Sequence, residues 1–87
     1  MEIVYSSKFA REYKKLPNSV KDIAEEVESI FREDPFDPRL KTHKLNGKLS
    51  NFLAFSIGHK YRIIFELIKG KNIAHFHSVG NHDIYKE

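Results

Sequence analysis

Residues 52–67 read Phe52-Leu53-Ala54-Phe55-Ser56-Ile57-Gly58-His59-Lys60-Tyr61-Arg62-Ile63-Ile64-Phe65-Glu66-Leu67. Two arms rich in apolar, aromatic and β-branched residues flank Gly58-His59-Lys60, which predicts a β-hairpin. Gly58 supplies the backbone freedom the turn needs. Arg62 is the one strong charge in the second arm before Glu66. On a strand between Tyr61 and Ile63 it must reach either a surface or an anion.

After this hairpin, Lys69-Gly70-Lys71-Asn72 signals a second turn, and Ile73–Val79 reads as the last strand. Gly80-Asn81-His82-Asp83-Ile84-Tyr85 reads as a turn with a short tail. Three consecutive antiparallel strands form a meander.

Before the hairpin, Glu2-Ile3-Val4-Tyr5 reads as a short first strand, and Ser6 or Ser7 can cap the helix after it. Phe9, Tyr13 and Leu16 recur at helical spacing, which predicts a helix over about 7–15. Pro17 ends it and opens a second helix, whose apolar stripe is Val20, Ile23, Ala24, Val27, Ile30 and Phe31. Ser19 and Asp22 have capping-box spacing, and Asp34-Pro35 stops this helix at about Glu33. Residues 35–49 carry two prolines and Asn46-Gly47, so they read as an ordered loop pinned to the core by Leu40, Leu45 and Leu49. The expected fold is α+β in two layers, in the order β-α-α-β-β-β. An antiparallel sheet packs on a helical hairpin, the first strand joins at one side, and the other face stays open.

The chain has 87 residues and a net charge of +3, with 40% hydrophobic and 31% charged residues, as expected of a single folded domain over residues 1–87. It has no cysteine, which excludes disulfides and cysteine zinc sites and suits a reducing cytoplasm. No apolar run is long enough for a membrane span, and the N-terminus has no secretory pattern.

Charge is unevenly spread. Residues 22–37 carry Asp22, Glu25, Glu26, Glu28, Glu33, Asp34 and Asp37 against Arg32 alone. Residues 38–65 contain no carboxylate but hold Arg39, Lys41, Lys44, Lys48, Lys60 and Arg62, with His43 and His59. Such a segment either lies over the acidic helix or faces an anionic partner.

Element order and motifs together resemble the RelE/ParE superfamily of toxins from toxin–antitoxin pairs. The resemblance rests on Leu45-Asn46-Gly47, on Tyr61-Arg62-Ile63-Ile64-Phe65 and on Ser78-Val79-Gly80-Asn81-His82-Asp83-Ile84-Tyr85. It implies a sheet-and-hairpin fold, neutralisation by a cognate antitoxin in a hetero-oligomer, and a toxic activity. In one branch that activity is cleavage of mRNA on the ribosome, and in the other it is non-catalytic inhibition of DNA gyrase. An inactive member would bind only its antitoxin. The resemblance assigns Arg62 to the scissile phosphate and His82 and Tyr85 to the rest of a catalytic group. The family's strand lysine pair falls at Leu53 and Phe55, so it is missing here.

Metal-free RNA cleavage needs a base for the 2′-hydroxyl, a cation for the phosphorane and an acid for the leaving oxygen. Histidine suits the proton roles and Arg62 the charge role. Tyr85 can stack on a base, and Lys44, Lys48, His59 and Lys60 can hold flanking phosphates. His43 is a further phosphate candidate. Each also has a structural reading. Arg62 can pair with a helix carboxylate or Glu66, His82 can cap the last strand, and Tyr85 can pack on the sheet edge. His75 and His77 share a strand face and read as half-buried or edge histidines rather than metal ligands. No cofactor and no metal is expected.

Overall fold

The computed structural model describes residues 1–81. Its elements are β1 (Glu2–Tyr5), α1 (Ser7–Lys14), α2 (Asn18–Glu33), β2 (His43–Lys44), β3 (Leu53–Ile57), β4 (Tyr61–Leu67) and β5 (Ile73–Asn81). The strands form one sheet in the order β1-β5-β4-β3-β2. β3, β4 and β5 are the expected antiparallel meander. β1 joins it parallel to β5, with Glu2 opposite Ile73 and Tyr5 opposite Phe76, so the sheet is mixed rather than antiparallel. The chain must cross two helices between β1 and the meander, and a crossover of that length permits parallel pairing.

Ser6 is the cap of α1. Its hydroxyl accepts a hydrogen bond from Phe9 N at 2.9 Å. The Ser19–Asp22 capping box does not form. Pro17 is the N-cap of α2, and its carbonyl accepts from Val20 N and Lys21 N at 3.0 Å each. The helix therefore begins at Asn18, and Ser19 already lies inside its first turn.

The segment read as irregular contains β2 and two single 3-10 turns, Pro38–Leu40 and Gly47–Leu49. Asp37 caps the first turn by accepting from Arg39 N at 2.9 Å, and Lys41 leaves it at φ 55. His43 and Lys44 then pair with Ala54 and Leu53.

The main core lies between sheet and helices. Fully buried Phe31 of α2 meets the rings of Phe55, Phe65 and Phe76 at 5.0, 4.9 and 5.1 Å. Alternation along β4 sends Tyr61, Ile63, Phe65 and Leu67 to this side and Arg62, Ile64 and Glu66 to the other. That other face is not wholly open. Leu45, Ala54 and Ile64 form a second buried cluster there, with Leu49 and Phe52 packed against it. Leu40 alone of the three loop leucines reaches the main core, while Leu45 and Leu49 fold under the sheet. The loop thus straddles a sheet edge. Among the described residues no helix is long and apolar enough to cross a membrane.

Candidate functional site

Arg62 sits on the sheet face away from the helices, near the 58–60 turn. Its cross-strand neighbours are Ser56 and Gly80, both small. Gly58 forms the turn at φ 62. The Arg62 guanidinium bends back over that turn, donating from Nη1 to the carbonyls of Tyr61 at 2.9 Å and His59 at 3.3 Å. Among the described residues no carboxylate pairs with it. The acidic helix lies behind the sheet, and Glu66 instead faces His75, at 3.6 Å from its Nδ1. The structural reading of Arg62 as a paired side chain is therefore not realised. Among the described residues its side-chain hydrogen bonds use Nη1 alone.

The other candidates separate. His59 and Lys60 are exposed in the turn beside Arg62. Lys48 is exposed on the Gly47–Leu49 turn. Lys44 is exposed at the sheet edge, but it pairs with Leu53, whose side chain belongs to the helix-side core, so register sends it away from Arg62. His43 takes the opposite register, opposite Ala54, and so shares the face of Arg62. Strand spacing puts it roughly 12 Å away. Its Nδ1 lies 3.1 Å from the Lys41 carbonyl. His82 and Tyr85 lie outside the described residues.

The basic segment is neutralised at one end only. Arg39 makes a two-point contact with Asp37, at 3.0 Å from Nε and 2.9 Å from Nη2. That side-chain bond to Arg39 holds the exposed Asp37 carboxyl down at about 2.

The missing lysine pair has a structural counterpart. Leu53 and Phe55 point into the helix-side core, with Phe55 fully buried. The β3 positions on the Arg62 face are Ala54 and Ser56, both buried. Neither set of β3 positions brings a base to that face. His75 and His77 share it as expected, the first against Glu66 and the second with its ring 5.0 Å from Phe52. Among the described residues no group of three His, Cys, Asp or Glu side chains could hold a metal ion.

The sequence reading missed two residues that hold the strand facing Arg62. β1 ends at Tyr5, so the edge of β5 beyond Phe76 loses its strand partner, and α1 replaces it. Ser6 Oγ donates to the His77 carbonyl at 2.7 Å, and Glu12 Oε1 accepts from Val79 N at 3.1 Å. His77 is the extra residue of a bulge, since Phe65 pairs with Phe76 but Ile64 with Ser78. The signal was present: Glu12 interrupts the apolar stripe of Phe9, Tyr13 and Leu16.

No protein-family profile matches the sequence, and no curated protein does. Solved structures do match. A YoeB/ParE toxin from Agrobacterium tumefaciens superposes with a TM-score of 0.79 at 13% identity, over 94% of this chain and 99% of that one. The toxin–antitoxin complex DinJ–YafQ of E. coli matches at 0.76 and 16% identity, over 95% and 93% of the two chains. The toxin–antitoxin complex RelBE2 of Mycobacterium tuberculosis matches at 0.76 and 15% identity, over 93% and 96%. Agreement over nearly the whole of each chain at such low identity is agreement of architecture. This chain has the RelE/ParE-like toxin fold.

Proposed function

We propose that this chain is the toxin of a toxin–antitoxin pair, acts in the cytoplasm on mRNA held by the ribosome, and is neutralised by a cognate antitoxin. The observation that carries the nuclease part is Arg62, a guanidinium with no carboxylate partner among the described residues, on the sheet face away from the helices. Two small neighbours flank it, and a basic turn lies beside it. The antitoxin part draws on the fold neighbours crystallised with their antitoxins.

In the proposed reaction the 2′-oxygen attacks the adjacent phosphorus, the bond from phosphorus to O5′ breaks, and a proton passes to O5′. Arg62 stabilises the charge on the phosphorane. His82 exchanges the proton and Tyr85 stacks on a base. Lys48, His59 and Lys60 hold flanking phosphates, with His43 contributing from the β2 edge, while Lys44, turned to the other face, takes no part. No metal or cofactor takes part.

A second reading is non-catalytic inhibition of a protein target such as DNA gyrase. It is favoured by the absence of any base from β3 on the Arg62 face, where Ala54 and Ser56 stand. Inducing the chain alone and mapping mRNA 5′ ends decides between them. The nuclease reading expects growth arrest with new 5′ ends, both lost in Arg62→Ala and His82→Ala. Arrest without new ends, unchanged by His82→Ala, supports the second reading. No arrest at all leaves a chain that only binds its antitoxin.

A further inference from the structure

A concavity among the described residues lies away from Arg62. It is a cavity of about 390 Å³ between α1 and α2, above the helix side of the sheet. That volume lies in the range of ligand pockets. Phe9, Ile63 and Phe76 form its floor, and Tyr5 and Tyr13 line it as well. Its polar lining consists of the two phenols and the carboxylates of Glu25 and Glu28, with no cation among the lining residues. In an otherwise basic chain this is a negative, aromatic recess.

Two observations bear on the chemistry of its occupant. The Tyr5 hydroxyl donates to Glu28, and burial together with that bond pushes Tyr5 up to about 12. Burial, and then the fields of Glu25, Glu28 and Asp22, raise Tyr13 as well. The charges that shift Tyr13 are all carboxylates, whereas at Tyr5 Glu28 is opposed by Arg32. At the margin of the recess the chain already shows how a cation sits there. Lys21 Nζ stands 6.0 Å from the Tyr13 ring centroid while donating to the Lys14 carbonyl at 3.1 Å. Beside Tyr5, Arg32 opposes the upward shift of that phenol with its charge and donates to the Met1 carbonyl at 3.1 Å.

We propose that this recess receives an arginine or lysine side chain, carried next to an apolar residue on a partner polypeptide. The aromatic floor takes the apolar body and ring faces, and Glu25 and Glu28 take the charge. A polypeptide is favoured over a free amine because Tyr5, 45% exposed at the recess, lies on β1, one of the two edge strands of the sheet, whose outer backbone groups can pair with an extended segment. The inference deepens the partner half of the proposed function. It also reverses a charge expectation: the segment seated here is basic, although the Arg62 face calls for an acidic one.

The test titrates acetyl-Phe-Arg-amide and acetyl-Phe-Glu-amide into the full chain, followed by NMR. The arginine dipeptide is expected to give saturable shifts at Tyr5, Phe9, Tyr13 and Ala24. It should bind at least about threefold tighter than the glutamate dipeptide, the preference expected of a partly exposed ion pair. The double variant Glu25→Gln and Glu28→Gln should erase that preference. Ala10→Phe, at an exposed lining position, should block the recess while leaving the remaining spectrum unchanged. Equal binding of both dipeptides, no saturable shift at those residues, or binding unaffected by Ala10→Phe would each overturn the proposal. The assay needs neither growth arrest nor RNA cleavage, so its failure is distinct from failure of the toxin reading.

Discussion

Replacing Glu12 by alanine removes the acceptor for Val79 N, whose residue is only 2% exposed. The amide then has no strand partner, because β1 has already ended and α1 occupies that edge. A buried donor left unsatisfied costs about 1–3 kcal/mol. Glu12 keeps 27% of its side-chain exposure, so water partly replaces it, and the lower half of that range applies. Its 4.0 Å pair with Lys8 adds at most about 0.5 kcal/mol. The expected loss is therefore about 1.5 kcal/mol. With a urea slope of about 1 kcal/mol/M for a domain this small, the midpoint falls by roughly 1.5 M. Glu12→Gln keeps a side-chain carbonyl acceptor and should recover most of the loss. Amide exchange should accelerate at Val79 and Gly80 in the alanine variant, while Phe65 and Phe76 stay protected, since release of one strand end is local. If alanine shifts the midpoint by less than about 0.3 M, or glutamine is as damaging as alanine, Glu12 does not hold this strand.

Phe31→Ala should cost about 3–5 kcal/mol by chemical denaturation, because the ring is fully buried against three others. Ser78→Ala should be neutral or stabilising by up to about 1 kcal/mol in the same assay, since among the described residues the buried Ser78 hydroxyl has no hydrogen-bond partner. Lys41→Gly should raise stability by about 0.5–1 kcal/mol, because Lys41 is exposed and is the one non-glycine residue at positive φ among those described. Tyr5 is shifted from 10.0 up to about 12. Its folded-state pKa exceeds its unfolded one, so its contribution is complete below pH 10 and is lost as pH rises towards 12. Thermal melts of Tyr5→Phe should therefore show a shallower alkaline decline than wild type across that window.

The sequence was most readable where one local rule decides. Gly58 set the hairpin turn, Pro17 divided the helices, and helical spacing of Phe9, Tyr13 and Leu16 marked the inner side of α1. Glu12 falls within that spacing yet was missed, because its partner lies 67 residues away and nothing local points to Val79. The Ser19–Asp22 spacing misled because Pro17 started the helix two residues earlier. Leu45 and Leu49 were legible as anchors but not as anchors on the second face, since an isolated leucine in a loop carries no period. Arg62 was found from its surroundings, whereas its lack of a carboxylate partner among the described residues arises because the acidic helix lies on the other side of the sheet.

Composition, turn chemistry and periodicity by themselves determined the two helices, the first strand, the meander, their order and the one strand residue most suited to an anion, but not β2. These are properties of neighbouring residues, written within a turn or two of chain. Only the tertiary structure decided that β1 runs parallel to β5, that the loop leucines divide between two faces, that α1 completes an edge β1 leaves open, and that an acidic recess lies opposite the basic face. Each depends on which distant segments meet, and that choice is made by burial of whole faces rather than by any local signal.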